Sequence, residues 1–138
     1  MKFDDLRSIG HNIAISVGGG VSFLAGEYGL DVFGDASRSP EGFLTVDFLK
    51  GTSTGATPSP SLAHALPRFP DALKRLCEKH GTSPSVFREL TARYSNSNSR
   101  RFCLTVEDHQ GHRSVDEYEG VDGHRVRILD HLGRVRGK

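Results

Sequence analysis

The run RFPDALKRLCEKHGTSPSVFRELTARY, from Arg68 to Tyr94, restricts the local shape of this chain more than any other stretch. Ala72, Leu73, Leu76 and Cys77 recur at intervals of three and four, which places them on one face of a helix from Asp71 to His80. Gly81 follows where helices close with a left-handed residue, a conformation that brings glycine no Cβ clash. Ser83 is then a capping residue with Pro84 in the turn behind it, and Val86, Phe87, Leu90 and Tyr94 continue a helical stripe. The spacing predicts two short helices meeting at a glycine corner.

Before this corner, Leu6, Ile9, Ile13, Val17 and Val21 repeat at three-to-four spacing behind Asp4 and Asp5, acids that suit the positive end of a helix dipole. A first helix is expected there, ended by Gly18-Gly19-Gly20, because consecutive glycines lose much backbone entropy on ordering. A phosphate-cradling glycine loop would follow a strand and have a lysine nearby, and this one has neither. Gly29 to Phe33 and Phe43 to Leu49 are rich in β-branched and aromatic residues around a cluster of Gly, Asp, Ser and Pro, which predicts a hairpin. Its acids, Asp31, Asp35, Glu41 and Asp47, match no metal-loop spacing and read as turn caps and solvated strand faces. Gly51 to Ser59 has almost no large apolar side chain and reads as a loop or linker. Ser59-Pro60 restarts helical structure through Leu62, Ala63 and Leu66, and Pro67 and Pro70 cut that run from the helix near Asp71.

After Tyr94, Phe102, Leu104 and Val106 alternate with Arg101, Cys103 and Thr105, the two-residue period of a half-buried strand. Turn signals at Gln110-Gly111 and Asp122-Gly123 then divide the rest, so that strands are expected at Arg100 to Glu107, Arg113 to Glu119, His124 to Leu129 and Gly133 to Arg136. Asp116, Glu117 and Glu119 against Arg101, Arg125 and Arg127 suit antiparallel neighbours. The expected architecture is a single α+β domain over residues 1–138. It comprises a helix-plus-hairpin module at 1–50, a loop at 51–59, a helical segment at 60–94 and a β-meander at 100–138. The N-terminal hairpin and the meander form an antiparallel sheet with helices covering one face.

A chain of 138 residues with 36% hydrophobic and 25% charged side chains can bury a core without staples. Its net charge of +1 excludes a basic coat or an acidic tail, but the sign is unevenly spread. Arg68 to Arg101 holds eight basic residues (Arg68, Lys74, Arg75, Lys79, Arg88, Arg93, Arg100 and Arg101) against the acids Asp71, Glu78 and Glu89, so an anionic partner would meet the middle of the chain. Cys77 and Cys103 have no CxxC neighbour and read as small buried hydrophobes of a reducing compartment. MKFDDLRS puts acids where a secretion signal needs bases, and no apolar run approaches bilayer length, so a soluble, cytoplasmic protein with no membrane partner is expected.

The segment LCEKHGTSPSVFREL resembles the helix-turn-helix motif of DNA-binding proteins over about twenty residues. Small Cys77 stands where the helices would cross, Gly81 at the turn, Ser83-Pro84-Ser85 at the opening of the second helix, and Phe87 and Leu90 on its inner side. The resemblance implies a groove-reading helix carrying Ser85, Arg88 and Arg93, with Arg88 forked onto a guanine edge and Ser85 on a phosphate or base. It implies phosphate contacts at Arg100 and Arg101, and a hairpin wing with Arg113 near its tip.

Histidines supply a different reading. If Gln110-Gly111 is a two-residue turn, His109 and His112 stand opposite each other, and Glu107 or Asp108 would add an oxygen ligand for a metal-assisted hydrolase, with His124 or His131 as a further nitrogen. The turn histidines also read as exposed side chains without metal. No GxSxG elbow or cysteine motif marks a nucleophile, and no cofactor is called for. Ile15 lies off the first helix's stripe, beside Asp4, Ser8 and His11, where a partner protein or a second copy would cover it. These residues favour a non-catalytic binding protein with a protein partner or a homo-oligomer, a nucleic-acid binder and a small hydrolase being the alternatives.

Overall fold

Helix α1 occupies Phe3–Val17, with Asp4 and Asp5 in its first turn as the dipole favours. The computed structural model describes residues 2–17, 42–95, 98–121 and 124–129, with the backbone alone at 16, 98–100, 119–121 and 124–129. Its strands are β1 (Phe43–Asp47), β2 (Thr52–Gly55), β3 (Phe87–Ser95), β4 (Asn98–Asp108), β5 (Arg113–Val121) and β6 (His124–Leu129), and its later helices are α2 (Pro60–Ala65) and α3 (Phe69–Lys79). All strand pairs are antiparallel, in the order β2-β1-β3-β4-β5-β6, so the class is α+β. The meander strands stand where their alternation places them. Gly18 to Gly20, the strand expected at Gly29 to Phe33 and the one expected at Gly133 to Arg136 lie outside the described residues.

Four expectations are corrected. After Gly81, which does take the left-handed cap (φ 73°), Pro84–Val86 makes one 3-10 turn and the chain then runs as β3, where a second helix was expected. Leu90, Ala92 and Tyr94 are the reason: they bury every second position between two hydrogen-bonded neighbours, β1 and β4, and this pairing overrides a local stripe that suits either period. The stretch from Gly51 to Ser59 is not all loop, because Thr52–Gly55 pairs with β1 through backbone groups alone and needs no large side chain. A tight turn makes this reversal: Asp47 Oδ1 accepts the N–H of Leu49 and Lys50, and Gly51 sits at φ 69° with its Cα directed at the Leu66 carbonyl, where a Cβ would lie 2.6 Å away. Ile15 is 5% exposed, since α1 buries Ala14, Ile15 and Val17 near its end and is enclosed there on more than one side. Cys103 is half-buried on the outer sheet face, whereas Cys77 is wholly buried, and burial with Glu78 nearby pushes the Cys77 thiol up to about 11.

One sheet face is buried through Leu44, Val46, Leu90, Ala92, Tyr94, Leu104 and Val106. Helix α1 crosses this face over β3 and β4, and Gly10 is what lets it come close. A Cβ at Gly10 would stand 2.8 Å from Leu90 Cδ1 and 3.2 Å from Val106 Cγ2. Ile9 and Ile13 flank this contact fully buried. Farther along, the Tyr94 hydroxyl donates to the Ala14 carbonyl at 2.8 Å, fixing the end of the helix to the middle of the sheet. Phe69, first residue of α3, meets Phe48 at 5.5 Å between ring centroids and ties the later helices to the turn after β1.

Candidate functional site

A second stripe of α1, Phe3, Arg7 and His11, is spaced by four residues and lies along β5. Strand alternation turns Ser114, Asp116 and Tyr118 toward it. The Phe3 ring stands 5.5 Å from that of His112, and the His11 ring 4.4 Å from that of Tyr118. Between them Arg7 grips Asp116 with two parallel bonds, Nε to Oδ2 at 3.0 Å and NH2 to Oδ1 at 2.9 Å. Asp116 is fully buried, so the fork supplies the charge-assisted donors that a carboxylate in that position requires. Tyr118 continues inward through Phe102 to Tyr94, which face one another in register across β5, β4 and β3. Ser114 Oγ, in the same seam, is buried without a hydrogen-bond partner.

The seam ends at the β4–β5 loop, beside an open-sided cavity of about 290 Å³. Leu6 and Val86 form its apolar wall, and Asp108, His109 and Gln110 its polar one. Asp108 builds the loop: its Oδ1 accepts the N–H of Gln110 and of His112, each at 2.9 Å, and its Oδ2 meets His112 Nδ1 at 2.8 Å. Burial works against its ionisation, but the His112 ring and the two backbone N–H groups outweigh this and hold the carboxyl below its ordinary range. A carboxylate at Nδ1 selects the tautomer with the proton there, so the lone pair at Nε2 of this half-exposed ring is turned away from Asp108 as an acceptor.

The residues singled out as metal ligands do not converge. Glu107 points to the other side of the sheet from Asp108 and bonds Arg113, which also bonds Glu89, both at 2.9 Å. The Glu89 bond, with Glu107 beside it, raises the Arg113 pKa further. The loop is longer than a two-residue turn, with Gly111 at φ 94° and Asp108 N–H bonded to the His112 carbonyl, so His112 meets Asp108 rather than His109. His131 lies outside the described residues, and His124 is placed by its backbone in β6. Among the described residues no group of three or more His, Cys, Asp or Glu side chains is placed to hold a metal.

The nucleic-acid candidates are likewise dispersed. Ser85 is in the 3-10 turn and Arg88 is exposed at the start of β3, so neither stands on a groove-reading helix. Arg93 and Arg101 lie on the outer sheet face, Arg93 with its guanidinium 3.9 Å above the Phe43 ring. Arg100 is described by its backbone in β4, and Arg113 is engaged by its two glutamates. Sequence reasoning missed Phe3, Arg7, Asp116 and Tyr118. The signal that was there to read is the pair Phe3 and Arg7 at helical spacing against Asp116 and Tyr118 on one strand face. Among the described residues no helix is long and apolar enough to cross a membrane. In comparison with known proteins, no family model, no curated relative and no solved structure matches this chain.

Proposed function

We propose that the chain is a non-catalytic binding protein that engages a partner protein at the end of the sheet, taking one partner side chain into the cavity beside the β4–β5 loop. The observation that carries this reading is the cavity's lining, an apolar wall of Leu6 and Val86 facing a polar one of Asp108, His109 and Gln110. The size of the cavity supports a side chain over a free ligand. Small-molecule sites run from about 300 to 1,000 Å³ and enclose most of their ligand. This cavity, at about 290 Å³ and open on one side, would leave a free molecule wet, whereas a partner's surface would seal the rim. The chemistry narrows the guest: an aliphatic body against Leu6 and Val86, and a polar end against His109 and Gln110. Asp108 accepts from Gln110 and His112 within the loop and serves to hold it.

Peptides selected from a random displayed library against the native protein provide the test. Selected sequences should share a threonine or lysine, and His109→Ala or Val86→Ala should weaken them about tenfold, the loss of one hydrogen bond or of part of an apolar wall. Peptides that bind both variants as tightly as the native protein would overturn the site. Turnover of an ester, peptide or glycoside that His112→Ala abolishes would overturn the non-catalytic reading.

A further inference from the structure

The outer face of the sheet is unlike an ordinary solvated one. Its two central rows hold Thr45, Thr91, Cys103, Thr105 and Val115, all half-buried and uncharged, with Arg93 and Glu117 on either side of Cys103 and Asp47 beside Thr91. Along β4 the outward residues are Arg101, Cys103, Thr105 and Glu107: a cation at one end, an anion at the other, and none between. Such a strand is complementary to itself when reversed.

We propose that this face is a homodimer interface, two copies packing sheet to sheet about a two-fold axis that crosses β4 at Leu104. That axis lays each strand over its own copy, antiparallel. On β4 it sets Arg101 opposite Glu107 of the second copy, twice, and Cys103 opposite Thr105. The register carries the same axis through Val46, Ala92 and Asp116 on the neighbouring strands. Asp47 then faces Thr45, Arg93 faces Thr91, and Glu117 faces Val115. No like charges are opposed in these pairs. An isologous interface requires this self-complementarity. Phe43, the large apolar residue left 43% exposed among the described residues, lies at the corner of the same face under the Arg93 guanidinium. The cavity beside the β4–β5 loop adjoins the α1 side of the sheet, so the dimer and the partner site do not compete.

Sedimentation velocity over a wide range of concentration tests the proposal. A reversible dimer is expected. Arg101→Glu should weaken it at least tenfold, Glu107→Arg likewise, and the double variant R101E/E107R should recover it, because the axis restores both facing pairs. Thr105→Arg, at the centre, should leave a monomer with an unchanged thermal transition. Cys103 gives an independent reading: its reaction with a thiol reagent should slow as protein concentration rises through dimerisation, with buried Cys77 silent throughout. A native protein that stays monomeric, with a concentration-independent Cys103 rate, overturns the proposal. So does a dimer indifferent to Arg101→Glu and Thr105→Arg, which would place the contact elsewhere. Peptide binding retained by the Thr105→Arg monomer keeps the partner site separate from this result.

Discussion

Asp108 shows how much one side chain determines when its two oxygens face different donors. Its depressed pKa means that the fold favours the carboxylate, and the sign of the pH effect follows. The contribution is complete above the ordinary value of 3.8 and is lost as pH falls through the lower folded value. The urea midpoint of the native protein should therefore exceed that of Asp108→Asn at pH 7, and the gap should shrink below about pH 4. A gap that stays constant down to pH 2 would mean that Asp108 acts through shape alone. Arg7 and Asp116 pose a different question, since their pairing removes a full charge from water. Arg7→Ala takes the fork from a buried carboxylate and should cost about 3–5 kcal/mol in urea unfolding, whereas Arg7→Met combined with Asp116→Leu should recover most of this. A single substitution costing under about 1 kcal/mol would show that water already reaches the pair. Neither residue is conspicuous in the sequence. They stand 109 positions apart, and no periodicity links a helix residue to a strand residue at that distance.

The helices and strands divide by how local their causes are. Helix α3 was legible from Asp71 onward because its stripe and its Gly81 cap lie within one short segment, whereas Pro70, which reads as a break, stands in its first turn. β4 and β6 were legible from alternation and turn residues. β3 was misread because Phe87, Leu90 and Tyr94 fit a helical period as well as a strand's, and the hydrogen-bonding neighbours that decide are distant in sequence. β2 was missed for a simpler reason: TSTG carries no hydrophobic pattern, and only its place beside β1 makes it a strand. In α1 the spacing gave the helix, but not why Gly10 sits inside it. Alanine would gain about 1 kcal/mol of helix propensity there. Against this, its Cβ meets fully buried Leu90 and Val106, and such overpacking costs about 1–3 kcal/mol. Gly10→Ala should lower the melting temperature, and Gly10→Val should lower it further. A melting temperature raised by Gly10→Ala would show that α1 can lift from the sheet without penalty.

In the molecule as a whole, the antiparallel sheet has one face that depends on the first helix. Leu90, Ala92, Leu104 and Val106 are buried on the face that α1 crosses, and Tyr94 and Asp116 bond directly to that helix. Residues from the start of the chain thus complete a core built mostly from its second half, an arrangement of high sequence separation. The meander and the α+β class could be foreseen from alternation and turns, because strands adjacent in sequence pair with one another. The placement of α1 could not, because nothing in a helical stripe says which distant strands it will meet. Removing residues 1–17 should therefore cost far more than a surface helix would. Each large apolar side chain returned to water forfeits about 1.5–3 kcal/mol, and Leu90, Leu104 and Val106 would all be uncovered along with the loss of Ile9 and Ile13. That sum rivals the 5–15 kcal/mol by which whole domains are stable. The truncated chain should lose its cooperative thermal transition and bind a hydrophobic dye such as ANS, while keeping some far-ultraviolet β signal. A truncated protein that still unfolds in one sharp step, within a few degrees of the intact chain, would mean that the sheet closes its core without α1.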